Sequence, residues 1–155
     1  TEEHDFLDAE HSGYKRLKRR GRLFSVLVFA KREGYWVVKD ILSGGGIHQF
    51  DLYFHFAPVE VGLGSEFPLV VKTRTEGANL AIIPLETEGV SVEILLDGWV
   101  SYRYGVKEEA PVVRYSKKTQ APTSFCSILY PYIEEIDINE VMKKIRGQKL
   151  WSLWR

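Results

Sequence analysis

The chain has 155 residues, 45% of them apolar, and its 21 lysines and arginines are balanced by 21 aspartates and glutamates. That length and apolar content suffice for one packed core and exclude a disordered tail, while the zero net charge removes any global attraction to nucleic acid or to an anionic membrane. No apolar run approaches the roughly 20 residues that span a bilayer, the opening Thr1-Glu-Glu-His-Asp5 lacks the basic start and apolar middle of a secretory signal, and the lone Cys126 excludes an internal disulfide and a cysteine-rich zinc site.

Residues 1–14 form an acidic, weakly patterned leader with His4 and His11 in no metal-ligand spacing. Lys15-Arg-Leu-Lys-Arg-Arg-Gly-Arg22 is the sharpest electrostatic feature. Arginine forks there match the carboxylates and sulfates of acidic sugars, and the same charges would equally guard a sheet edge against strand pairing. Residues 22–31 and Tyr35-Trp-Val-Val38, joined across Arg32-Glu-Gly34, read as a hairpin. Both faces of its first strand are mostly apolar, which predicts cover on both sides.

Residues 44–58 are a glycine turn feeding a strand. Side chains alternate between faces, so His48, Phe50, Leu52, Phe54 and Phe56 share one side and Gln49, Asp51, Tyr53 and His55 the other. The first face is predicted to be buried and the second to be open to a ligand. Asp51 and His55 lie about 13 Å apart at a typical strand rise, too far for a direct bond, and His55 has the alternative reading of a solvated surface histidine. Further strands are predicted at residues 69–75, 80–85, 90–96, 99–104, 112–115 and 124–130, with turns at Glu76-Gly77, Thr87-Glu-Gly89 and Asp97-Gly98. Regular short strands separated by glycine turns define an all-β chain, an antiparallel β-sandwich. Tyr102 and Tyr104 share a strand face by period two and would form a stacking platform for sugar rings if that face is open. Asp137-Ile-Asn-Glu140 reads as a capping box that opens a short helix ending at Arg146-Gly147. Leu150-Trp-Ser-Leu-Trp-Arg155 is too apolar for a solvated tail and is predicted to dock on the sheet or on a partner. With no repeat, low-complexity tract or linker, residues 1–155 read as one domain.

Several phrases in order carry a resemblance: Glu10-His-Ser-Gly-Tyr14, Arg19-Arg20, Tyr35-Trp-Val-Val-Lys-Asp40, Phe54-His-Phe-Ala-Pro58, Gly98-Trp-Val-Ser101, Tyr104-Gly105, and Ala121-Pro-Thr-Ser-Phe125 followed by Leu129-Tyr-Pro131. Together they resemble the C-terminal β-sandwich region of heparinase II/III-like polysaccharide lyases. The resemblance implies a large, supersandwich-like fold and a role in the metabolism of acidic, uronate-containing polysaccharide, cleaved by β-elimination in a longer parent. The family's Gly-His-x-Asp-like metal and catalytic motif, its Asp before a Gly-Thr-Tyr-like turn, its Ala-His-Asn-like motif and its helical toroid have no match here. The chain is therefore expected to be a non-catalytic fragment, a scaffold or a wall of the substrate groove, with no cofactor of its own and any metal ion in the parent's missing segment. Contacts to substrate would come from His11, Tyr14, Arg19, Arg20, Arg22, His55, Tyr102 and Tyr104. For His11 and Tyr14 the structural alternative is that Gly13 permits a tight backbone and Tyr14 packs at the sandwich edge. Two other readings stand beside this one. A binding module would hold acidic glycan through Arg19, Arg20, Arg22 and the tyrosine face, and a structural domain would pack on the missing toroid and upstream sandwich segment or form a homodimer, leaving an apolar patch exposed. The residues alone leave the compartment undecided; the resemblance favours a periplasmic or secreted protein.

Overall fold

The computed structural model describes residues 2–16 and 21–147. Arg19, Arg20 and the apolar stretch at residues 150–155 lie outside the described residues. Ten strands build two antiparallel sheets, and one helix closes the chain. In order they are β1 (His4–His11), β2 (Arg22–Ala30), β3 (Tyr35–Ser43), β4 (Ile47–His55), β5 (Glu60–Leu63), β6 (Val71–Arg74), β7 (Asn79–Pro84), β8 (Ser91–Arg103), β9 (Val106–Gln120), β10 (Thr123–Tyr132) and α1 (Ile138–Arg146). The larger sheet runs β1-β2-β3-β10-β7-β6-β5 and the smaller β4-β9-β8. The chain is thus the all-β sandwich that its strand pattern predicts.

The larger sheet is covered on both faces. On one side Val71, Ile82, Phe125 and Leu129 meet Phe50, Leu52, Phe54, Val113 and Tyr115 of the smaller sheet. On the other, Val28, Tyr35, Val37, Ile83 and Ile128 pack with Ile138, Val141 and Ile145 of α1. On β2, Val26, Val28 and Ala30 belong to this second layer, whereas Leu23, Leu27 and Phe29 on its other face are only partly buried, Phe29 stacking on Trp36. Asp137 caps α1, its carboxylate accepting from the Asn139 amide at 2.7 Å, and the buried positions 138, 141 and 145 follow the helical period. The phenol of Tyr115 crosses between layers to donate to the Leu69 carbonyl at 2.9 Å.

β4 has the predicted alternation: Phe50, Leu52 and Phe54 face inward and Gln49, Asp51, Tyr53 and His55 are exposed. Other expectations need correction. The leader, where no strand is predicted, forms one: residues 4–11 pair in full register with β2, from His4 opposite Ala30 to His11 opposite Leu23. Its adjacent Phe6 and Leu7 point to opposite faces and are both exposed, so an edge strand shows no alternation to read. β5 is four residues long and also goes unpredicted. Asp97-Gly98 is not a turn: β8 runs on through it, with an irregularity in its pairing to β9 between Leu95 and Gly98. A Cβ at residue 98 would collide with the Val112 side chain and lie 2.5 Å from the Ala110 carbonyl oxygen. Glycine is used here for close approach of two backbones and not to reverse the chain.

Candidate functional site

Two predicted site residues come together in one cleft. It opens where the start of β2 and the end of β3 face the start of β4, has a volume of about 150 Å3, and is lined by Tyr14, Arg22, Ser43, His48, Gln49 and Asp51 among others. Local chemistry fixes each wall. Tyr14 sits on a short 3-10 turn, Gly13–Arg16, directly after β1. The His11 ring packs edge-on to Tyr14, centroids 5.6 Å apart, and fills the space that a side chain at residue 13 would need. The Gly21 amide donates to the Tyr14 carbonyl, returning the chain to β2. Arg22 is held by Glu10 across the β1–β2 pair at 3.3 Å. This exposed pair stabilises the fold little. Its guanidinium keeps enough free donors to take an anionic group of a ligand.

The opposite wall belongs to β4. Nε2 of His48 lies 2.9 Å from the Gly45 carbonyl, a contact that requires the proton on that nitrogen, and the ring leans on Phe50. Histidine there closes the glycine turn. Asp51 accepts from the Ser116 hydroxyl and, at 3.1 Å, from the Gln49 amide. These two bonds, the Ser116 one first, hold its carboxyl below the usual carboxylate range.

Gln49 and Asp51 also line a second hollow on the outer face of the smaller sheet, about 410 Å3, with Ser91, Glu93, Arg114 and Ser116. The register explains the grouping: Asp51 stands opposite Ser116, which stands opposite Ser91, and the next row is Tyr53, Arg114 and Glu93. Arg114 bonds Glu93. A hydrogen bond with Tyr53, followed by that with Glu93, raises its already high pKa. Its Nε is buried without a partner among the described residues. The face thus carries fixed acceptors, donors and one half-exposed phenol ring, which is the equipment needed to bond sugar hydroxyls and stack on a sugar ring. The sequence reading missed Arg114, Glu93, Ser91 and Ser116. Their signal is the polar alternation of Arg114, Ser116 and Lys118, cut off when the strand is ended at Tyr115.

The remaining predicted residues lie elsewhere. His55 ends β4 on the same outer face as Asp51 but is separated from it along the strand. Tyr102 and Tyr104 lie at the far tip of the β8–β9 hairpin, 64% exposed and fully exposed. Tyr104 belongs to the turn, since β8 ends at Arg103, so the two do not share a strand face. Val106, the first residue of β9, is fourteen positions from the Gln120 that pairs beside the cleft, on the order of 45 Å at the strand rise. The structure therefore does not bring the tyrosines to the cleft. Among the described residues no three of His, Cys, Asp or Glu converge on a metal-sized site.

Residues 1–129 match the family model described as heparinase II/III-like, C-terminal, and the chain belongs to that family. Among solved structures it is similar to a heparan sulfate lyase from Pedobacter heparinus, with a TM-score of 0.76 and 21% identity over 88% of this chain and 21% of that one. It is also similar to a heparinase III gene product, with a TM-score of 0.70 and 21% identity over 85% of this chain and 20% of that one. A further heparinase III structure gives 0.70 at 15% identity, covering 87% and 20%. The chain spans about a fifth of the length of these solved lyases. No curated protein matches it.

Proposed function

We propose that this chain is the C-terminal sandwich of a polysaccharide lyase acting on an acidic, uronate-containing glycan, and that it forms a wall of the substrate groove without supplying catalytic groups. The supporting observation is the cleft in which Arg22, Tyr14 and the Gln49–Asp51 pair converge, opening onto the hydroxyl-bonding outer face of the smaller sheet. Elimination beside a carboxylate needs a base, a group that neutralises the carboxylate, and an acid for the leaving oxygen. Arg22 has the chemistry of the second requirement. Abstraction of the proton is assigned to the segment of the longer parent whose catalytic motifs have no match in this chain.

In this account Arg22 exchanges Glu10 for a sugar carboxylate or sulfate, Tyr14 borders the ring, and Gln49, Asp51 and Ser116 take hydroxyl groups. Replacement of Arg22 with alanine is expected to weaken binding of acidic oligosaccharides by about tenfold, from the loss of one charge-assisted contact, leaving any weak affinity for neutral ones unchanged. Equal affinity of Arg22→Ala and the parent chain for acidic sugars would remove the cleft from the account. The binding-module reading draws on the same cleft, since every wall of it lies within this chain. It differs in requiring no elimination by any longer form of the protein. Unsaturated product formed by the isolated chain, read by its ultraviolet absorbance, would contradict the non-catalytic assignment.

A further inference from the structure

Among the described residues, the cleft lined by Arg22 and Asp51 carries an unbalanced charge. Its cation is already matched, since Arg22 is held by Glu10 at 3.3 Å. Its anion is not. Oδ1 of Asp51 accepts from the Ser116 hydroxyl and, at 3.1 Å, from the Gln49 amide, whereas Oδ2 has no hydrogen-bond partner among the described residues. Both donors are neutral, so they fix the carboxylate without cancelling its charge, and they favour its ionised form, the Ser116 bond most. No described cation reaches Asp51 as an ion pair. The Arg114 guanidinium, one row along the sheet, is bonded to Glu93. Lys118 stands one row the other way, opposite Gln49. The neighbouring hollow, which shares Gln49 and Asp51, repeats the sign: there Asp51 and Glu93 stand against the single charge of Arg114.

We infer that Asp51 is a specificity-determining residue for an ammonium group, so that the cleft selects a zwitterionic glycan in which an amino sugar with an unsubstituted amine adjoins the acidic sugar. This rests on the reading of the Arg22 cleft as the site of the acid. At about 150 Å3 the cleft is smaller than the roughly 300 Å3 at which pockets begin to enclose a whole ligand, so it reads substituents and leaves most of the glycan outside. When the acid of one sugar displaces Glu10 from Arg22, the next substituent meets a fixed carboxylate with one oxygen open. A hydroxyl there satisfies that oxygen and leaves its charge facing the acid of the glycan. An ammonium group brings N–H donors, no acceptor and the opposite charge, and makes a charge-assisted bond. A sulfate or sulfamate adds a second anion beside Asp51 and is rejected by like-charge repulsion. Arg22 and Asp51 thus address two neighbouring substituents of opposite sign.

Calorimetric titration of the 155-residue chain tests this with uronate–hexosamine oligosaccharides of equal length that differ only at the hexosamine nitrogen, which is a free ammonium, an N-acetyl or an N-sulfo group. The ammonium form is expected to bind about tenfold more tightly than the N-acetyl form, the worth of one charge-assisted hydrogen bond at a partly open site, and the N-sulfo form most weakly. Asp51→Asn keeps the size of the side chain at an exposed position, and circular dichroism checks its fold. It is expected to bring the ammonium and N-acetyl forms to within about twofold of each other. Glu10→Gln removes the same amount of charge beside Arg22 and is expected to keep the roughly tenfold ratio, which separates a contact at Asp51 from the general field of the cleft. Equal affinity for the ammonium and N-acetyl forms, tightest binding of the N-sulfo form, or a ratio that falls equally in both variants overturns the inference. If Arg22→Ala still weakens binding of the acidic sugars in that case, the reading of the cleft as an acid site stands. Binding of none of the three forms overturns both.

Discussion

Gly98→Ala tests whether the β8 irregularity is built on close backbone approach. The added methyl would overlap the Val112 side chain and stand 2.5 Å from the Ala110 carbonyl oxygen, whereas a carbon and an oxygen in ordinary contact sit well beyond 3 Å. A flexible side chain could swing away; a carbonyl engaged in a β-ladder cannot. Relief therefore requires the two strands to part by most of an ångström at the Gly98–Ala110 pair. Overpacking of this kind costs about 1–3 kcal/mol, and losing one neighbouring ladder bond adds about 1 kcal/mol, so a loss of about 3 kcal/mol is expected. For a chain of this length that corresponds to a fall in Tm of roughly 6–12 °C. The control is Gly45→Ala: its Cβ would meet nothing within 4 Å and its backbone is not left-handed, so its stability should change by less than about 0.5 kcal/mol. Urea and thermal unfolding followed by circular dichroism read both variants. If Gly98→Ala unfolds within 1 kcal/mol of the parent chain, residue 98 does not constrain the bulge and the reasoning is wrong.

Three further outcomes can be checked with the same instruments. Asn79 accepts from the Thr73 hydroxyl at 3.0 Å and the Thr75 amide at 2.8 Å and donates to the carbonyls of Thr75 and Gly77, so Asn79→Ala should destabilise by about 2–3 kcal/mol in urea unfolding. Lys117 is buried in the sandwich, where its amine bonds the Ser124 carbonyl, and burial depresses its pKa. The unfolded state then binds the extra proton between the folded pKa and the ordinary lysine value. The penalty is thus complete below the folded pKa and relieved as pH rises toward about 10.4. Lys117→Met should therefore stabilise the chain by about 1 kcal/mol at pH 7 and by less near pH 10; a gain that grows with pH would contradict the sign. Cys126 is buried and its thiol is pushed up to about 12, burial being the largest cause, so a thiol reagent at pH 8 should label it only at the rate of unfolding.

What the sequence makes legible follows from physical range. The inward and outward faces of β4, the β2–β3 hairpin and the Asp137 cap are local patterns, each contained within a few residues, and each is found in the structure. β1 escapes because an edge strand with both faces open carries no alternating constraint, as Phe6 beside Leu7 shows. Asp97-Gly98 misleads because a glycine needed for tight approach and a glycine needed for a turn look the same in one dimension. The cleft is of another kind: Tyr14 and Arg22 approach Asp51 only through the packing of one sheet on the other, and no spacing encodes that. Gln49 and Asp51 were readable as an exposed face, but their register with Ser116, Ser91, Arg114 and Glu93 depends on pairings made across long separations. The ordered phrases between residues 10 and 131 gave the family, since they sample the whole sandwich at once.

Whether the sandwich holds an acidic glycan at the Arg22 cleft decides its place in a substrate groove. Titration of the isolated chain with acidic and neutral oligosaccharides of matched length, at low and at physiological salt, tests it most directly. Binding to uronate-containing chains is expected to weaken as salt rises, with neutral chains bound far less well. Absence of binding to every acidic oligosaccharide at low salt, or affinity that ignores both salt and sugar charge, would contradict it.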